Sequence, residues 1–211
     1  MRFWKPRVIE GQPVVGISVA AYISHEDCRE LHALRCLIAS FQSQTYGNWR
    51  MEVAHDGPAP VAVHSVLADL TKDTRVEIRE TATRQQQFGH PHRQQTAEIL
   101  VSGGAQWLLQ TNQDNYYMPV FLEWMLHEAQ RQNTRFVYCD FIRSHKQWAV
   151  HRSRPKKGQL DLGAFMAHKD LIAGVKFDRI TFDGDGDYIN RLVAKAKNKT
   201  AYVATPLFVH N

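Results

Sequence analysis

The chain has 211 residues, 26 Lys and Arg against 21 Asp and Glu, a net charge of +5 and 44% hydrophobic residues. That length supports one α/β domain with a well-buried core, and the ordinary composition excludes a disordered, collagenous or disulfide-framework protein. No apolar run approaches a membrane span, and the opening residues Met1-Arg2-Phe3-Trp4-Lys5-Pro6 hold no apolar signal core. Three cysteines (Cys28, Cys36, Cys139) form no CxxC pair, which fits a reducing compartment. The expected location is the cytoplasm, free or peripheral at a membrane.

Residues 1–13, with Pro6, Gly11 and Pro13, lack periodicity and read as a loosely attached arm. Val14–Ala21 is nearly continuously apolar and too short for a helix, as expected of a strand buried on both faces. Ser24-His25-Glu26-Asp27 fits a capping box with Asp in the Glu/Gln position. Leu31, Leu34, Leu37, Ile38 and Phe41 then form a helical stripe. Trp49–His55 alternates as a strand and stops at the turn signal Asp56-Gly57-Pro58. Pro60 suits the first position of a helix carrying Val63, Val66, Leu67 and Leu70, and Arg75–Arg79 is a short alternating strand. Residues 81–95 are polar, with Gly89 and Pro91 expected to break any helix; a helix through Ala97, Leu100 and Val101 ends at Gly103-Gly104.

Trp107-Leu108-Leu109 reads as a buried strand running into Asn112-Gln113-Asp114-Asn115, and Pro119 opens a helix to about Gln132. Carboxylate and amide oxygens at a strand's C-terminal end occupy the usual ligand-binding place of open α/β sheets and suit a hard cation; the competing reading is that Asn112 and Asp114 only cap the next helix. Phe136–Phe141 is a strand and Gln147–Val150 a candidate one. Leu160–Ala167 is a strand or a strand entering a helix, residues 182–187 are a Gly/Asp loop, and Tyr188–Ala196 is helical. Ala201–Val209 is a last strand, expected at a sheet edge because Pro206 interrupts it.

Strands alternate with helices through the first 130 residues, which predicts a mostly parallel central sheet with helices on both faces. The end of the first strand, Asp56 and Asn112–Asn115 would then share one rim. Carboxylates there can divide the work of binding a nucleoside, holding a metal and acting as a general base. The acids available are Asp56, Asp114, and one of Asp183, Asp185 or Asp187. No EF-hand spacing and no Ser-His-Asp or Cys-His nucleophile set is present. His90 and His92 read as part of a loop near the phosphates. The basic stretch Arg143–Lys157 could hold an anionic ligand, a phosphorylated lipid surface or nucleic acid, or be a solvated loop. The lack of aromatics interleaved on a basic strand face argues against nucleic acid. Trp148 could stack on a sugar or simply pack.

These segments resemble a family 2 glycosyltransferase of the GT-A fold, from about Val14 to His210. Leu37–Trp49 (L-I-A-S-F-Q-S-Q-T-Y-G-N-W) resembles that family's helix followed by Gln-Thr-Tyr and Asn-Trp. Ala20-Ala21-Tyr22-Ile23 keeps the Tyr of its first turn, and Val53–Gly57 resembles the strand ending in Asp-Asp-Gly, with His55 for the first Asp. Gly89 and Arg93 match a Gly…Arg pair, and Asn112-Gln113-Asp114 stands where the Asp-x-Asp metal motif would be. Asp183–Tyr188 followed by Arg191 resembles the segment of the catalytic base, with Gly184 in place of its Glu. The resemblance implies a single GT-A-like (Rossmann-like) domain over 14–211, with a nucleotide-binding half (14–117) and an acceptor-side half (118–211). It implies an inverting, metal-dependent transfer from a nucleotide-diphosphate sugar to a carbohydrate, lipid-linked or protein-linked acceptor, with Mn²⁺ or Mg²⁺. Asp185 is the implied base and Asp187 its alternative. Ala20, Tyr22, Asp56, Arg93 and Gln113 would bind the nucleotide; Asp114, Asn112 and His210 would hold the metal. The departures at Ala20-Ala21, His55, Asn112 and Gly184 also allow a non-catalytic nucleotide-sugar or carbohydrate-binding module.

Overall fold

The computed structural model describes residues 11–26, 28–178 and 181–211, so most of the expected arm lies outside the described residues. Gln12 and Pro13 are not loose: their carbonyls accept from the Asn48 side-chain amide (2.7 Å) and the Tyr46 hydroxyl (2.5 Å).

In chain order the strands are β1 (Val15–Ala21), β2 (Trp49–His55), β3 (Val76–Glu80), β4 (Trp107–Asn112), β5 (Tyr116–Tyr117), β6 (Phe136–Arg143), β7 (Ala149–His151), β8 (Phe165–His168) and β9 (Ala201–His210). The helices are α1 (Arg29–Gln42), α2 (His64–Leu70), α3 (His90–Ser102), α4 (Phe121–Arg131), α5 (Lys169–Ile172) and α6 (Gly184–Lys195). All nine described strands form one sheet in the order β3-β2-β1-β4-β8-β6-β9-β5, with β7 pairing on β6. The expected parallel sheet occupies the first four positions. Beyond β4 the sheet is mixed: β8 runs antiparallel to β4 and β6, while β9 is parallel to β6. The second half therefore continues the same sheet.

One core serves both halves. Val15, Ile17 and Val19 of β1 are fully buried, as a central strand requires. Tyr117 on β5 packs against Phe41 of α1 (4.8 Å), Phe121 of α4 (4.7 Å) and Phe208 of β9 (5.3 Å), and Phe208 continues to Phe141 of β6 (5.1 Å). Each aromatic pair contributes about 0.5–1.5 kcal/mol beyond area burial, so the column ties α1 and α4 to the far end of the sheet.

Four local expectations need correction. Helix α1 starts at Arg29, capped by Cys28, whose Sγ accepts from the Leu31 N–H (3.4 Å), and not by the Ser24 box, whose Asp27 lies outside the described residues. Helix α3 starts at His90, because Pro91 sits in its first turn, where a missing N–H costs nothing. The Gly/Asp loop is the first turn of α6, with Asp185 and Asp187 inside the helix; acids there complement the helix dipole. Pro206 does not mark an edge, since β9 lies between β6 and β5 and Pro206 falls opposite Asp140 at a register shift. Asp140 stabilises that bulge by accepting from the Tyr202 hydroxyl (2.8 and 2.9 Å) and the Ser153 N–H (2.8 Å).

Candidate active site

The parallel register brings the ends of β1, β2 and β4 level. Ala20 is opposite both Ala54 and Asn112, and Ala21 is opposite His55. A cleft of about 1260 Å³ opens on this rim. Its lining includes Ala20, Tyr22, Asp56, Arg93, Asn112, Gln113 and Asp114. All seven were candidates from sequence, five for the nucleotide and two for the metal.

Several of these side chains build the rim. His55 accepts at Nε2 from the Ile23 N–H (2.9 Å) and donates from Nδ1 to the Gly57 carbonyl (2.7 Å), so it joins the ends of β1 and β2 as a neutral imidazole. Gln113 makes a two-point contact with the Tyr22 backbone, accepting from its N–H (2.5 Å) and donating to its carbonyl (2.8 Å). Tyr22 carries the Arg84 guanidinium over its ring at 3.6 Å. At Gly89 the backbone has φ +73°, and a Cβ would lie 2.7 Å from Ala20 Cβ. Only glycine allows this close approach, which sets α3, and Arg93 with it, against the rim.

Asp56 is buried and accepts from the Gln85 N–H (2.6 Å), the Gln86 N–H (2.8 Å) and His92 Nε2 (2.8 Å). A carboxylate has about four lone-pair sites, so roughly one remains for a ligand. Burial works against ionisation of Asp56, but the Gln85 and Gln86 N–H groups and His92 outweigh it and hold the pKa below the ordinary carboxyl value. Replacing Asp56 with Ala is expected to cost about 2–3 kcal/mol near neutral pH, the worth of lost hydrogen bonds to a charged group. Because the folded-state pKa is the lower one, this stability is present above the unfolded carboxyl's pKa and fades as pH falls through the folded value. Urea titrations of wild type and Asp56→Ala should therefore converge in acid.

Next to this rim lies a cluster of charge. Arg93 is buried; its Nη1 donates to the Phe88 carbonyl (2.7 Å) and its Nη2 to Asn112 Oδ1. The Asn112 oxygen, a candidate metal ligand, is thus engaged by a guanidinium. Burial lowers the Arg93 pKa, against the attraction of Asp185, Asp161 and Asp114. Asp114 has a buried Oδ1 without a hydrogen-bond partner among the described residues, and burial raises its pKa more than its own backbone N–H and His210 lower it. His210 has a buried Nδ1, likewise without a partner, and its Nε2 is 3.8 Å from Asp161 Oδ2. The β5–β9 ladder brings His210 to the Asp114 turn, where the Asn211 side chain donates to the Asp114 carbonyl.

Asp161 had no sequence signal as a site residue. It caps the short 3-10 turn Leu162–Ala164 by accepting from the Gly163 N–H (2.8 Å). Burial raises its pKa, and its field reaches His210, Asp185 and Arg93. His90, read from sequence as a loop residue, is buried in the first turn of α3. Its Nε2 donates to the Thr181 carbonyl (3.1 Å) and lies 3.5 Å from Asp185 Oδ1.

The two base candidates differ in surroundings. Asp185 is 38% exposed and faces His90 and Arg93. Asp187 is held by Lys157 Nζ (2.9 Å), which also binds Asp183 (2.6 Å). Neither Asp185, Asp187 nor His210 lines the cleft itself. Among the described residues no three His, Cys, Asp or Glu side chains are preassembled as a metal cage. The buried, unpartnered oxygen of Asp114 and nitrogen of His210 nevertheless fit a divalent cation that takes its other ligands from a phosphate group. Asp114, Asp161 and Asp185 all act electrostatically on Arg93, and one guanidinium does not balance three carboxylates.

No protein-family profile matches the chain, and no curated protein matches it. Solved structures do. S. aureus TarS is 10% identical with a TM-score of 0.71, covering 95% of this chain and 37% of that one. S. aureus TarS 1–349 in complex with UDP-GlcNAc is 11% identical with a TM-score of 0.69, covering 94% and 58%. The mannosyltransferase PcManGT from Pyrobaculum calidifontis, in complex with GDP-Man and Mn²⁺, is 13% identical with a TM-score of 0.64, covering 93% and 56%. The chain therefore spans between about a third and three fifths of the length of these neighbours. At such identities the likeness establishes architecture: the chain is a single GT-A-like, Rossmann-like α/β domain.

Proposed function

We propose that this domain transfers a sugar from a nucleotide-diphosphate donor to an acceptor hydroxyl. The observation that carries the reading is the cleft at the β1, β2 and β4 ends, which Asp56, Arg93, Asn112 and Asp114 line, with the His210–Asp161 pair beside the Asp114 turn. Fold neighbours whose complexes hold UDP-GlcNAc or GDP-Man with Mn²⁺ support it.

The nucleoside lies between Tyr22, Asp56 and Gln113, with the remaining lone pair of Asp56 available to one base or ribose donor. Ala20, small and next to Gly89, leaves room for the donor to approach the rim. The diphosphate lies over Asp114 and Arg93. Mn²⁺ or Mg²⁺ held by Asp114 and His210 would neutralise charge developing on the departing diphosphate, which is worth several kcal/mol. Asn112, its oxygen on Arg93, positions the guanidinium and does not ligate. Asp185 accepts the proton of the acceptor hydroxyl as that oxygen attacks the anomeric carbon in line, giving inversion. The nucleotide-binding half is 14–117; the acceptor enters from the 118–211 half, past Asp185 and the exposed, edge-to-face pair Phe88 and Phe182 (6.1 Å).

Asp185→Asn should lower turnover by roughly 10²–10⁴, the worth of a positioned base, with nucleotide affinity unchanged. Asp187→Asn should lower it less and instead slightly reduce thermal stability, by weakening one of the two ion pairs of Lys157. Equal turnover losses would contradict the assignment. A donor screen across UDP-, GDP- and dTDP-sugars, read by released nucleotide, tests the reaction. A binding module of the same fold, favoured by the engaged Asn112 oxygen, predicts that Asp185→Asn changes neither binding nor any activity.

A further inference from the structure

The chain's positive charge is concentrated in one place. Residues 141–160 contain six Lys and Arg and no Asp or Glu, a local charge of +6 in a chain of net +5, so the remaining residues together carry −1. This stretch is the β6–β7 hairpin and the loop after it. Lys157 is neutralised by Asp183 and Asp187. Lys146, Arg152, Arg154 and Lys156 are exposed and, among the described residues, take part in no ion pair.

The hairpin tip is apolar as well as cationic. Trp148 is 66% exposed and Val150 54%. Gln147 and Trp148 both have left-handed backbone, φ +54° and +61°. Left-handed backbone favours Gly and Asn, and a bulky residue there carries strain. Turn formation alone therefore gives no reason for tryptophan. An exposed indole beside an exposed valine, flanked by unpaired cations, matches the chemistry of a lipid–water interface. There tryptophan sits at headgroup depth and lysine and arginine face anionic lipid. A dissolved polyanion would use the cations but gains nothing from Val150. In the same turn as Trp148, the His145 ring meets the His210 ring at 5.3 Å, so the basic surface adjoins the candidate site.

We propose that the β6–β7 hairpin docks this protein on an anionic phospholipid surface, with Trp148 inserted at the interface and Lys146, Arg152, Arg154 and Lys156 on the headgroups. The proposal is independent of the glycosyl-transfer reading. The test is co-sedimentation of the full chain with phosphatidylcholine vesicles containing or lacking phosphatidylglycerol, at low and high salt, with heparin binding measured in parallel. Binding is expected only with phosphatidylglycerol and should weaken with salt. Replacing the four cations with Gln should lower partitioning by at least about a hundredfold. Trp148→Gly, which suits the left-handed backbone and should not lower the melting temperature, is expected to reduce vesicle binding about tenfold and leave heparin binding unchanged. No preference for anionic vesicles, or equal losses of vesicle and heparin binding in Trp148→Gly, would overturn the proposal.

Discussion

Replacing Asp114 with Ala is expected to reduce glycosyl transfer by roughly two to three orders of magnitude, since a lost Lewis-acid contact worth several kcal/mol converts at about 1.4 kcal/mol per decade. Asp114 Oδ1 is buried with no hydrogen-bond partner among the described residues, so an ionised carboxylate there lacks part of the compensation that burial ordinarily requires. A bound cation would supply it. The same variant should lose the Mn²⁺-dependent part of nucleotide affinity and keep the metal-independent part. Its melting temperature should fall little, because the buried Oδ1 has no hydrogen-bond partner among the described residues. Asn112→Ala should cost less activity, because the Asn112 oxygen is engaged by Arg93. The reverse order of effects would move the ligand position to Asn112.

Arg93→Met should be the more destructive change to the fold, by about 3–5 kcal/mol in urea titrations at neutral pH. Arg93 is buried, and the substitution leaves the Phe88 carbonyl and the Asn112 oxygen without their donor. It also removes a buried guanidinium whose charge offsets that of Asp114 and Asp161. Arg93→Lys should recover part of the loss, since an ammonium restores charge but not the two-armed geometry. A cost below about 1 kcal/mol for Arg93→Met would mean that the guanidinium contributes little to holding the acidic cluster.

The elements that sequence reasoning places well are those with one dominant signal. β1 is an uninterrupted apolar run, β2 alternates up to an Asp-Gly turn, and β2 is observed over the expected Trp49–His55. The rim followed from these strands, and with it the grouping of Ala20, Tyr22, Asp56, Asn112, Gln113 and Asp114. What sequence reading mistook were residues with two structural uses. Pro91 breaks a helix from inside but starts one from its first turn, and only the close Gly89–Ala20 approach shows which applies. Pro206 excludes a strand interior unless a bulge is present, and that bulge depends on Asp140, distant in sequence. Glycine and aspartate in Asp183–Asp187 favour a loop locally, but tertiary context sets them as the start of α6.

Asp161 and His90 could not be found from sequence because nothing local marks them. Asp161 acquires its role when the segment after the β6–β7 hairpin returns to His210. His90 acquires its own when Phe177 stacks on its ring at 4.9 Å and brings the α6 start over it. The buried state of Arg93 is likewise a product of long-range folding, although the Gly…Arg spacing pointed to the residue.

The measurement that bears most directly on the reading is isothermal titration of UDP, GDP and dTDP into the protein, with and without Mn²⁺. At least one of these nucleotides should bind, more tightly with Mn²⁺, and Asp114→Ala should abolish the difference. Failure of all three to bind under either condition would contradict the nucleotide-diphosphate site.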